Sequence, residues 1–456
     1  MDTPTARPDP ADIRALFSRR SLWQSWLDVE AALAEVQGEL GIIPQAAAAE
    51  IRSKANLAAI DEQALAADIE RTRAPILSLA HALGDACAGE AGGYVHWGAT
   101  TQNVLQTGRT LLMRRAHEAF MVRFGDLLEH FAALADSSAE MLTAGRSNHR
   151  HALPITFGLK VAGWIEELLR HRDRLVAAEP RVFLSLWGGA MGAMHAFGEH
   201  GPEINRRLSQ RLGLYPMAVP TRAGTDHVAE YVLLLALFSA TCSKVAREFY
   251  ALMADEYGEV YESLGDVVVG SSTMPHKINP KVAVQAIALA ARLRSQVPLA
   301  LEAMQPTHEG DAANNQMLYG LMDTICPMAY DLVVEMNALL ECIRLVPERM
   351  RQNLDISGPL IAAENAMMVL APALGRNHAH TLLHDAIEAA ADGKRSLFDI
   401  LLDDAAVSAA FDRQTLEAAF DPARYTGRSA GMAREMSAAA RAAAEALHRP
   451  RGPERT

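Results

Sequence analysis

Apolar residues along this chain recur at helical spacing over unusually long stretches. Between residues 13 and 39, Leu16, Leu22, Trp23, Trp26, Leu27, Val29, Leu33 and Val36 mark one face of a helix, and Gly41 follows as a stop signal. The same period predicts a second helical stretch over 61–88 and long helices over 104–144, 156–178, 201–212, 226–264, 280–304 and 314–345. These exceed the ordinary mean of about 11–12 residues and suit an extended bundle. Strand signals are nearly absent; only 265–270, with three successive valines, is ambiguous. Beyond Pro347 the helices shorten, with a break at 421–427, an Ala-rich last helix near 430–448 and a frayed tail over 449–456. The pattern thus predicts an all-α chain whose C-terminal domain begins near Pro347.

Composition narrows the partners. The 456 residues carry 43 Lys+Arg against 55 Asp+Glu, a formal charge of −12 with no basic run, which argues against nucleic acid. Half the residues are hydrophobic and 21% are charged, which rules out disorder over most of the length. The longest apolar run, 231–242, is about half of the ~20 residues a membrane span needs, so it reads as a core helix and no membrane partner is expected. Its nearly all-round apolar surface exceeds what one bundle covers, an argument for self-association. Cys87, Cys242, Cys326 and Cys342 lie far apart without metal-site spacing and read as thiols in a reducing compartment. The Pro- and Asp-rich start lacks a signal-peptide pattern, so the expectation is cytoplasmic. No residue pattern calls for a metal or organic cofactor.

Three polar segments interrupt the helices. In the first, His96-Trp97-Gly98-Ala99-Thr100-Thr101-Gln102-Asn103, hydroxyls and amides at this density suit a carboxylate without adding charge, and Thr101 or Asn103 equally suits a helix N-cap before Val104. The second runs from Gly145 to Gly158 and contains Arg146, Ser147, Asn148, His149 and His151. In the third, residues 265–280, a glycine, two serines, a turn proline, a lysine and an asparagine crowd between two long helices. Gly270 permits an unusual backbone angle beside Ser271 and Ser272, successive amides there can form an anion nest, and Lys277 and Asn279 can reach one carboxylate together.

The run Gly270-Ser271-Ser272-Thr273-Met274-Pro275-His276-Lys277-Ile278-Asn279 resembles the signature of the aspartase/fumarase superfamily, and the other two segments match its remaining loops in order. Resemblance extends to Trp26-Leu27-Asp28-Val29-Glu30 and Gly41-Ile42-Ile43-Pro44. It covers nearly the whole chain and is closest to the adenylosuccinate lyase and 3-carboxy-cis,cis-muconate cycloisomerase branch. The resemblance implies three mostly helical domains, 1–103, 104–347 and 348–456, the central one a long bundle that packs into a homotetramer whose sites each draw loops from three subunits, acting without cofactor on a small di- or tricarboxylate. Ser271 would be the general base. Thr100, Thr101, Gln102, Asn103, Ser147, Ser272, Met274, Lys277, Asn279 and His308 would contact substrate. Proton removal next to a carboxylate creates an aci-carboxylate, so Ser271 would need ionisation by amide donors and Lys277 in a closed pocket.

The departures bear on the chemistry. Where relatives carry Thr-His in the second loop, this chain has Ser147 and Asn148, and an amide is no general acid. His149 and His151 are the substitutes within reach. Thr72-Arg73-Ala74-Pro75 stands in place of T-x-H-D, and the only Arg-Tyr pair is Arg424-Tyr425, which argues against adenylosuccinate as substrate. His308-Glu309-Gly310-Asp311 lacks the arginine of the relatives' H-E-R, and Gly224-Thr225-Asp226-His227-Val228-Ala229-Glu230 replaces Q-R-D-R-x-A-E, which counts against the aromatic-acid cycloisomerase. His227 and His276 read as structural. The expected activity is a lyase releasing an amine, or less often an oxygen group, from an N-substituted succinate to give fumarate. The alternatives are an isomerase, epimerising an iminodisuccinate-like compound or closing a carboxymuconate lactone, and a non-catalytic protein like the crystallins that resemble argininosuccinate lyase.

Overall fold

The computed structural model describes residues 7–265, 273–274, 277–391 and 393–449. Helices dominate, as the periodicity predicts, and breaks occur where local chemistry forbids continuation. The first helix divides at Ser18, which accepts the Ser21 amide at 3.3 Å and caps α1 (Arg19–Glu39). The stretch over 61–88 divides at Arg73, which is left-handed (φ 55), and Pro75 opens the next helix because its missing N–H is no loss there.

The bundle consists of α2 (Thr101–Ser137), α3 (Phe157–Val182), α4 (Asp226–Leu252), α5 (Val282–Arg294) with its continuation α6 (Val297–Ala303), and α7 (Ala312–Cys342). α2, α4 and α7 run in one direction and α3 and α5–α6 return. Cross-links fix that sense: Arg109 pairs with Asp323 near the start of α2 and α7, and Asn337 donates to the Arg123 carbonyl further along both. The core between them holds Phe120, Phe124, Phe131, Phe157, Phe238, Phe249 and Tyr330. α4 and α7 are long and apolar enough to cross a membrane by length and composition, and more than half of each apolar window is buried within the protein.

Two expected helices stop early. α2 ends at Ser137, and the chain continues as a hairpin, β1 (Leu142–Ser147) and β2 (Arg150–Thr156). α4 ends at Leu252; Gly258 (φ 59) turns the chain into β3 (Val260–Glu262), which pairs with β4 (Ile343–Leu345) after α7. Beyond Pro347, Leu370, Leu383, Leu401, Val407, Leu416 and Phe420 form a separate small core. The last helix, α8 (Ser429–His448), leaves that core and packs along α2 and α3. There Ser437 donates to the Ala132 carbonyl at 3.0 Å and Arg441 pairs with Asp136. The four cysteines are unpaired.

Candidate active site

The first loop is bound to α1 before it reaches α2. His96, left-handed at φ 60, sets Nδ1 2.6 Å from Oε1 of the buried Glu30, and Gln37 donates to the Trp97 carbonyl at 2.9 Å. Burial pushes the imidazole down, but the hydrogen bond and charge of Glu30 outweigh it, so His96 titrates above its usual range. Gly98 (φ 76) passes so close to Phe197 that a Cβ would stand 2.5 Å from the ring, which requires glycine here.

Thr100 is the N-cap of α2. It closes a reciprocal box with Asn103, whose Oδ1 accepts the Thr100 amide at 3.1 Å. Asn103 is fully buried in this role. Thr101, one position on, is exposed at the amino end of a 37-residue helix, where a hydroxyl and the positive end of the helix dipole coincide. Gln102 points inward at 2% exposure, its Oε1 accepting from Arg222 Nε at 2.6 Å and its Nε2 3.3 Å from Asn315 Oδ1. His308 (φ 52) and Gly310 lie in the exposed turn before α7, beside Arg222. Arg222 escaped the sequence reading; its only signal there is a lone cation between Pro220 and Gly224 ahead of a bundle helix.

The second segment is the β1–β2 hairpin, and its turn accounts for the departure at position 148. Ser147 pairs with Arg150, leaving a two-residue turn in which Asn148 (φ 51) and His149 (φ 60) are both left-handed. That is the type I′ requirement, and asparagine meets it at low steric cost. The hairpin is held just below its turn. Arg146 makes a bidentate pair with the fully buried Glu259 at 2.5 and 3.1 Å, lies over the Tyr257 ring, and Asn353 donates to the same carboxylate at 2.8 Å. His151 Nδ1 stands 2.8 Å from Ser357 Oγ, and burial together with Arg146 pushes its pKa down. Ser147, Asn148 and His149 remain exposed at the tip. Beneath them opens a cavity of about 620 Å³ lined by Lys160, Lys244, Glu248 and Tyr257.

Of the third segment, Ser271, Ser272 and His276 lie outside the described residues, as does most of the valine stretch read as ambiguous. Its two ends are gathered on one carboxylate: Glu262, at the close of β3, accepts the amides of Lys281 (2.7 Å), Val282 (3.2 Å) and Ala283 (2.8 Å) at the start of α5. Met274 and Lys277 are exposed and Asn279 is half-buried.

These segments do not meet within one chain. The first loop and Arg222 sit at the amino end of α2, whereas the hairpin follows its carboxyl end and the signature loop precedes α5 at that same end. Thirty-seven residues at 1.5 Å each place the two groups about 55 Å apart. A long helical bundle with polar, hydroxyl- and amide-rich loops at both ends fits the superfamily whose motifs the sequence resembles. Comparison with known proteins agrees. A sequence profile described as "Lyase" matches residues 7–294, and one described as "Adenylosuccinate lyase C-terminus" matches 359–436. The chain is 36% identical over 422 residues to an adenylosuccinate lyase of Methanothermobacter thermautotrophicus, covering 91% of this chain and 93% of the relative. It is 34% identical to an N-acetyl-S-(2-succino)cysteine lyase of Dickeya dadantii, covering 91% of each. The solved 3-carboxy-cis,cis-muconate lactonizing enzyme of Pseudomonas putida superposes with a TM-score of 0.83 at 32% identity, covering 97% of this chain and 99% of that one. The chain belongs to the aspartase/fumarase superfamily, in the branch of the adenylosuccinate lyases and carboxymuconate cycloisomerases, and is an enzyme of the lyase or cycloisomerase kind.

Proposed function

We propose that this enzyme is a cofactor-independent lyase that cleaves a carbon–heteroatom bond, first of all carbon–nitrogen, in a 2-substituted succinate and releases fumarate. The observation that carries this reading is the amino end of α2, where Thr100 and Thr101 offer uncharged donors at a helix terminus to a carboxylate. Lys277 and Asn279 of the signature loop would hold the other carboxylate, and Ser271 would take the proton between them. The aci-carboxylate that forms carries an extra negative charge, so a cation and fixed dipoles lower the barrier more than they lower the ground state. His149 is the better of the two candidate acids. His151 is tied to Ser357, whereas His149 stands exposed in the turn. The named relatives that eliminate from succinyl amines and succinyl thioethers support a shared elimination with a variable leaving group.

The site would be composite in a homotetramer. Leu233, Leu237 and Tyr250 on α4 and Val284 on α5 are exposed apolar residues on the bundle, and covering them brings other copies' loops within reach. Adenylosuccinate is disfavoured: Thr72 and Arg73 close a helix, Arg424 faces Asp421 and Tyr425 donates to Glu364. An isomerase of the same chemistry is the second reading, favoured by Asn148, whose amide cannot protonate a leaving group.

Proton NMR in D₂O with a panel of N-, O- and S-substituted succinates, beside Ser271→Ala, decides between them. A fumarate vinyl singlet abolished in the variant supports the lyase. Deuterium entering the α-position of an intact skeleton would replace it with the epimerase, and no difference between the two proteins would remove Ser271 as base.

A further inference from the structure

Arg222, in the loop ahead of α4, is held firmly on one side and left open on the other. Its Nε donates to Gln102 Oε1 at 2.6 Å and its Nη1 to the Ala190 carbonyl at 3.0 Å, while Gln102 Nε2 returns a bond to the Arg222 carbonyl at 3.3 Å. Gln102 is buried and braced in turn by Asn315, so the fork is fixed before any ligand arrives. Nη2 has no hydrogen-bond partner among the described residues. Arg109 and Arg146, also partly buried at the ends of the bundle, are neutralised by Asp323 and Glu259, whereas Arg222 has no carboxylate partner among the described residues.

The neighbouring turn keeps this guanidinium uncovered. A Cβ on Gly310 would stand 3.5 Å from Cζ and Nη2 and 3.6 Å from Nε, on the flat face of the fork. Glycine leaves that face open. On the other side, Gln102 lies in the first turn of α2, so the open fork is held at the amino end of that helix. A planar fork with an open edge and a helix amino terminus thus stand at the same end of the bundle, and a guanidinium suits the two oxygens of a carboxylate in its own plane.

We propose that Arg222 is a substrate-binding residue that takes one carboxylate of the substrate, with Gln102 as its positioning residue and Gly310 as the vacancy that exposes it. The site then selects compounds anionic at both ends, with Lys277 and Asn279 serving the second carboxylate. This rests on the dicarboxylate reading above, and the test separates the two.

Fumarate is titrated calorimetrically into the full-length wild type, Arg222→Gln, Arg222→Lys and the double variant Arg222→Gln/Gly310→Arg. Loss of a charge-assisted fork should weaken fumarate by about tenfold or more in Arg222→Gln, with an unchanged melting temperature and oligomeric state. Lysine should recover part of the loss, and an arginine placed at 310, where its stem starts against the vacated fork, should recover more. Equal affinity of wild type and Arg222→Gln would overturn the assignment of Arg222 and leave the dicarboxylate reading standing. Absence of fumarate binding by the wild type would remove both. Weakening with no recovery in either the lysine or the double variant would mark Arg222 as structural and likewise overturn the proposal.

Discussion

Asn148 and His149 show how a backbone requirement decides a residue that family comparison reads as chemical. Both are left-handed in the β1–β2 turn, and a side chain branched at Cβ there clashes with its own carbonyl. Asn148→Gly should therefore be nearly neutral in chemical denaturation, while Asn148→Val should cost about 1–2 kcal/mol. A valine variant as stable as wild type would mean the turn is not type I′. His96 provides the pH-dependent counterpart. Burial favours its neutral form, but Glu30 raises its pKa above the ordinary 6.5, so the folded protein holds the proton more tightly than the unfolded chain. The stabilisation is complete below 6.5 and fades as pH rises through the higher folded value. The melting temperature gap between wild type and Glu30→Gln should narrow as the pH is raised across that window. A gap independent of pH would show that folding does not shift the proton equilibrium of His96.

At the scale of elements, two segments of the candidate site hang from buried carboxylates. Glu259 holds the hairpin through Arg146 and Asn353, and Glu262 gathers the ends of the signature loop by capping α5. Arg146→Met would strand a fully buried carboxylate and should destabilise by about 3–5 kcal/mol in denaturant titrations. Replacing Arg146 and Glu259 together by apolar residues should cost less than the single change, because no charge is left unpaired. The hairpin was not visible as such in the sequence, whereas the signature loop was. The stretch 142–156 lacks the alternation of a half-buried strand pair, and its order comes from Glu259 and Ser357, more than a hundred residues away. The helix ends were misjudged for the same reason. Apolar periodicity continues past Ser137 and Leu252, but a Gly-containing turn and strand pairing take over.

At the scale of the whole molecule, the length of α2 sets the logic of assembly. Loops about 55 Å apart on one chain cannot hold one small dicarboxylate, so activity should depend on association. Leu237, half exposed in mid-helix on α4, is the direct probe. Leu237→Glu should shift the protein to smaller species in light scattering and abolish turnover with it, while the helical circular dichroism of each chain persists. Full activity in a monodisperse monomer would refute the composite site.

The sequence by itself determined the long helices, the three polar segments and the family, because a 3.6-residue period and a ten-residue motif are local properties of a chain. It also placed Thr101 at the start of a helix, where its exposure makes it available to a ligand. Only the tertiary structure decided which polar side chains remain free for ligand. Gln102 and Asn103 read as equals of Thr101, yet packing turns them inward to hold Arg222 and cap α2. Arg222 and Gly310 stand 88 positions apart, and nothing local to either predicts that one uncovers the other. A hydrogen bond or ion pair is settled by which surfaces the bundle brings together, and that choice is made by the burial of apolar faces along whole helices, not by the polar residues themselves.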